Sequence, residues 1–170
     1  MTRFLYYFFV LSAALIVEVL LRTIGFWLPL TAFGLFYLTS IRGIVSGVVC
    51  AFLTGFLLDA LFFHTIPVAA LTLQSAVLAA WLLRDGLKMM PPSPWLLMAC
   101  GTLLPLTVLL PPIPFRGGWS LTLESLPILF LSALISAVLL PLTAAILDHF
   151  SGRLGLEQFE DIAARRSART

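Results

Sequence analysis

Ile41-Arg42-Gly43-Ile44-Val45-Ser46-Gly47-Val48-Val49-Cys50-Ala51-Phe52-Leu53-Thr54-Gly55-Phe56-Leu57-Leu58-Asp59 is the stretch on which the fold turns. Every fourth residue from its first glycine gives Gly43, Gly47, Ala51, Gly55 and Asp59. Residues four apart share a helix face, so the line is a groove of small side chains that ends in a carboxylate. A small-polar line of Ser46, Cys50 and Thr54 runs beside it, and the rest of the helix is large and apolar. In lipid, small residues let backbones approach until van der Waals packing holds the helices together. The pattern predicts the central packing helix of a small membrane protein.

Composition points the same way. Of 170 residues, 61% are hydrophobic and 11% charged, and the mean hydropathy is +1.08. Soluble domains carry about 25% charged residues, and a soluble core of this size cannot hide so much apolar surface. The expectation is one all-α, polytopic integral membrane domain, with too little polar sequence for a second. A net charge of +2 says little by itself. Cys50 and Cys100 each lie inside an apolar run, with neither disulfide nor metal spacing. His64 and His149 are far apart, and there is no H-E-x-x-H. Arg3 is followed by about 18 apolar residues, long for a signal peptide, with another apolar run directly after; this reads as a retained first helix.

A crossing helix needs roughly 20 apolar residues. Six spans are expected, at about 4–21, 26–40, 43–63, 68–83, 95–110 and 123–147, with a polar tail over 148–170. Pro29 falls in the first turn of the second span, where proline is tolerated, and Pro105 predicts a kink in the fifth. With the N-terminus inside, Arg3, Arg42, Arg84, Lys88, Arg153, Arg165, Arg166 and Arg169 fall on the cytoplasmic side, and Arg22 and Arg116 on the other. That asymmetry places both termini in the cytoplasm. In the tail, Leu156, Phe159, Ile162 and Ala163 share a helical face ahead of Arg165 and Arg166. This fits a short helix on anionic lipid or a solvated tail, and the residues leave both open. No internal sequence repeat is evident.

Ionisable groups inside spans are costly and often functional. Asp59 follows Arg42 by 17 positions, or about 25 Å at about 1.5 Å per residue, which sets it near the outer edge. Glu18 lies at a similar depth, and Arg22 follows it in the favourable i, i+4 order. His64 is on the same side. Glu18, Arg22, Asp59 and His64 are therefore a candidate polar cluster at the outer ends of the first and third helices, serving as caps and pairs, as a partner contact or in solute chemistry. No nucleophile elbow, phosphate-binding glycine loop or zinc-ligand pair is present, so no catalytic residue, cofactor or metal is expected. No basic patch suits nucleic acid.

Pro29, the short apolar helix after it, Ile41-Arg42-Gly43, Gly47, Gly55 and Phe56-Leu57-Leu58-Asp59, followed by a short break and another apolar helix, resemble the rod shape-determining MreD family. The resemblance covers about Pro29 to Leu83, together with length and topology. It implies a non-catalytic scaffold of cell-wall elongation and cell shape in the bacterial inner membrane. The implied partners are an MreC-like bitopic membrane protein and the elongation enzymes, a glycosyltransferase and a transpeptidase, together with the MreB filament. The family fold is similar to the substrate-binding subunits of energy-coupling-factor vitamin transporters. That supplies an alternative, a small-solute binding subunit, for which Trp119, Glu124 and the outer charges are the polar candidates.

Overall fold

The computed structural model describes residues 2–26, 28–62, 67–86, 94–109 and 120–154. Within them the chain forms α1 (Thr2–Thr23), α2 (Leu30–Arg42), α3 (Ile44–Leu61), α4 (Val68–Gly86), α5 (Pro94–Leu109) and α6 (Ser120–Arg153), and no strand. The protein is all-α. Among the described residues, three helical stretches are long and apolar enough to cross a membrane: Leu5–Thr23, Ile44–Leu61 and Leu126–Arg153. The apolar runs Val68–Leu82 and Leu97–Leu106 are shorter. At 13 residues, α2 is only about 20 Å long at about 1.5 Å per residue.

The short helix is the centre. Every residue from Thr31 to Ile41 is buried. A helix buried on all sides needs neighbours on all sides, and α1, α3, α4 and α6 supply them. Phe33, Leu35, Phe36 and Leu38 form the middle of the core. The hydroxyls of α2 meet the cost of burial locally. Thr39 Oγ1 donates to the Leu35 carbonyl at 2.7 Å, and Ser40 Oγ to the Phe36 carbonyl at 2.8 Å.

This corrects the expectation that the glycine-spaced helix is central. In α3, only Gly47, Ala51, Thr54, Gly55, Leu58 and Asp59 are buried. Its other face leaves Val45, Val49, Phe52, Leu53, Phe56 and Leu57 exposed. The small residues mark one packed stripe of a peripheral helix. The true centre carries a weaker sequence signal because it is apolar or small-polar all round.

Two turns depend on glycine. Gly43 alone joins α2 to α3 with φ +100°, a backbone conformation that L side chains rarely adopt, and its N–H donates to the Thr39 carbonyl at 2.9 Å. It is thus the reversal between two helices and lies outside the helical groove in which the four-residue spacing had put it. Gly25, with φ +90°, ends α1. Phe26 N–H donates to the Leu21 carbonyl and Gly25 N–H to that of Arg22, the two bonds of a Schellman cap. The second helix starts after Pro29, at Leu30. At the other end of the chain, α6 runs through Asp148 to Arg153, beyond the point where the polar tail was expected to begin.

Candidate functional site: two carboxylates on two helix starts

The first turn of a helix leaves backbone N–H groups without partners inside the helix. Both buried carboxylates of the described residues sit on such groups. Glu18, 1% exposed, lies near the end of α1. Its Oε2 accepts the Thr31 backbone N–H at 2.8 Å and also the Thr31 hydroxyl. Its Oε1 accepts from Arg22 Nη2 at 2.5 Å, the expected i, i+4 pair. Thr31 is the second residue of α2, so Glu18 caps the start of the next helix.

Asp59, 4% exposed, lies near the end of α3. Its Oδ1 accepts the Ala69 N–H at 2.9 Å and its Oδ2 the Ala70 N–H at 3.0 Å. Those groups belong to the first turn of α4. A negative charge there also complements the positive end of the helix dipole.

Gly55, one turn before Asp59, makes the second cap possible. A Cβ on Gly55 would lie 2.6 Å from the Ala70 nitrogen, and closer still to its Cα. Bare backbone therefore meets bare backbone, and α4 starts within reach of a side chain as short as aspartate. Gly47 plays the corresponding part against α2, where a Cβ would run into the Thr39 side chain. Ala51, between them, is fully buried. The groove is filled from within, by α2 at Gly47 and α4 at Gly55.

The expected outer cluster is thus divided by role. Glu18 and Arg22 are joined, and the Arg22 guanidinium also stacks on Phe62, the residue that ends α3, at 5.0 Å from the ring centroid. Asp59 addresses a different helix start from Glu18. His64 lies outside the described residues, as do Trp119 and the side chain of Glu124. All four carboxylate oxygens accept from the protein's own donors, so the arrangement clamps helices. Among the described residues no group of three His, Cys, Asp or Glu could hold a metal.

A second polar group went unread in the sequence. Tyr37, 2% exposed on α2, donates its hydroxyl to Asp148 Oδ1 at 2.5 Å and lies 3.4 Å from Ser151 Oγ. Tyr6 Oη donates to the Leu147 carbonyl at 2.9 Å, and the Arg42 guanidinium stacks over Tyr7 at 5.1 Å. The available signal was Tyr37 itself: a phenol inside a fully buried helix requires an acceptor. Comparison of the chain with protein-family models, with curated proteins and with solved structures finds no match.

Proposed function

We propose that this chain is a multi-pass protein of the bacterial inner membrane, with six helices in the bilayer and both termini in the cytoplasm. In this reading it is a non-catalytic, MreD-like scaffold of the cell-wall elongation machinery. It acts by binding an MreC-like bitopic protein and, with it, the elongation enzymes. Length and hydropathy support the membrane assignment for α1, α3 and α6. The shorter α2 is carried among α1, α3, α4 and α6 and is buried from Thr31 to Ile41.

The observation that carries the scaffold reading is the Gly55–Asp59 clamp. Two of the residues through which the chain resembles the family, Gly55 and Asp59, bring α3 onto α4 and cap it. Glu18 is likewise engaged as a cap. The described carboxylates thus hold helices together, as a scaffold requires. With the groove filled from within, the exposed apolar face of α3 is left to lipid or to a partner's transmembrane helix.

The test is deletion in the native host, with complementation by variants. Loss of the chain is expected to round the cells, and affinity purification of the full chain is expected to bring down a single-span, coiled-coil protein. Asp59→Asn keeps the side chain's shape and one carbonyl acceptor, so it should retain part of the shape function. Asp59→Leu keeps neither and should be worse. Cells of normal shape that have lost uptake of a vitamin-like solute would reject the scaffold in favour of a transporter subunit.

A further inference from the structure

Helix α6 has two parts with different neighbours. Before Pro141 it packs on α5, where Gly101 meets the backbone of Ser136 and Ala137, and it buries Leu129, Ser132, Ser136 and Leu140. From Pro141 to Leu154 the only fully buried side chain is Ser151. Leu142, Ile146, Phe150 and Leu154, four apart, are each about half exposed. The polar contacts that hold this part to the rest go to α1 and α2, Tyr6 to the Leu147 carbonyl and Tyr37 to Asp148 and Ser151, and Ala144 and Leu147 pack, partly buried, against the core. Pro141 stands at the boundary. A proline inside a helix lacks the N–H for the i−4 bond and crowds that carbonyl, which makes the site a natural point of bending.

We propose that residues 142–153 form a strap, hinged at Pro141 and latched to the α1–α2 core by the two tyrosine hydroxyls. Two features make the latch reversible. The hydrogen bonds can be exchanged for water, so each adds only a modest net stabilisation. No apolar side chain of the strap is more than partly buried, Ala144 and Leu147 on the core included, so release forfeits only part of their hydrophobic stabilisation. Released, the strap uncovers Tyr37 and Ser151 at the end of the core helix, while α6 before Pro141 stays on α5. The device gives a handle on the chain's central helix to whatever engages the end of α6. It stands on packing alone, independently of the function proposed above.

The experiment uses the full chain in detergent, with Cys50→Ala and Cys100→Ala as background and Ser151→Cys as probe. The rate of reaction with N-ethylmaleimide reports opening. Adding Tyr37→Phe, which removes the phenol–carboxylate bond, should raise the rate roughly tenfold or more, as expected for losing a hydrogen bond to a charged group. Pro141→Ala, which stiffens the hinge, should lower it. A Ser132→Cys probe, on the α5 side of the hinge, should keep its rate in the Tyr37→Phe background. Equal rates at Ser151→Cys with and without Tyr37 would overturn the strap. An equal rise at Ser132→Cys would overturn it too, since the whole bundle would then be loosening.

Discussion

The hairpins α1–α2 and α3–α4 do the same thing with different parts. In each, a buried carboxylate near the end of the first helix accepts backbone N–H at the start of the second, one group for Glu18 and two for Asp59, just after a proline, Pro29 or Pro67. In α3–α4 the acid is aspartate, and Gly55 one turn earlier brings the helices to backbone contact. In α1–α2 the acid is glutamate, no glycine lies one turn earlier, and the extra methylene covers the distance. The longer acid goes with the hairpin that has no glycine one turn before it, so length swaps test whether side-chain length is matched to helix separation. The charge is handled differently as well: Glu18 has Arg22 on one oxygen, whereas both Asp59 oxygens reach a helix N-terminus. The sequence shows no repeat because the physical device recurs while the residues that build it do not.

The severest break in this comparison is Gly55→Leu. The added side chain meets the backbone of Ala70, which cannot rotate away, and both the contact and the cap one turn on are lost. The expected cost is about 3 kcal/mol or more, the upper range for overpacking. It would be read as lost membrane level and a lower unfolding midpoint in a mild-to-denaturing detergent titration. The reciprocal length swaps sharpen the rule. Asp59→Glu keeps the charge but has no room for its methylene, and should cost about 2 kcal/mol. Glu18→Asp keeps the reach of the long Arg22 but falls short of Thr31, orphaning a buried N–H for about 1–2 kcal/mol. If either swap is neutral in the same titration, the matching of length to separation is wrong. The smallest effect belongs to Gly47→Ala. The new Cβ meets the side chain of Thr39, part of which can turn aside, so a loss of about 1 kcal/mol is expected. Val48→Leu, on the exposed face beside it, should stay within about 0.5 kcal/mol.

Local spacing made some of this legible and non-local packing hid the rest. Helix character follows from apolar runs longer than a strand uses, and the Glu18–Arg22 pair follows from an i, i+4 spacing. The small residues of α3 could be seen to form a packed stripe. Which helices fill that stripe could not, because Thr39 and Ala70 reach it through the tertiary fold. Asp59 stands out as a carboxylate inside an apolar run, but the donors to its oxygens are backbone N–H groups, which no side-chain pattern encodes. Gly43 reads as one more small residue at a spacing of four. Only its positive φ separates a turn from a groove. Tyr37 and Asp148 are 111 positions apart, and neither predicts the other.

The burial of α2 also sets an order for synthesis. In the proposed membrane reading, α2 emerges from the ribosome second, short and bearing buried hydroxyls at Thr31, Thr39 and Ser40. Gly43 delivers α3 against it after a single residue, so those two can enter the bilayer as a pair. The α4 wall arrives only after Val68, and the contact with Asp148 only when the last described helix is nearly complete. A nascent chain therefore holds its future core uncovered on the α4 side until about half of the chain is made. Truncations that end before Val68 keep the whole glycine-spaced stretch but lack the α4 wall, so they should be cleared by membrane proteases.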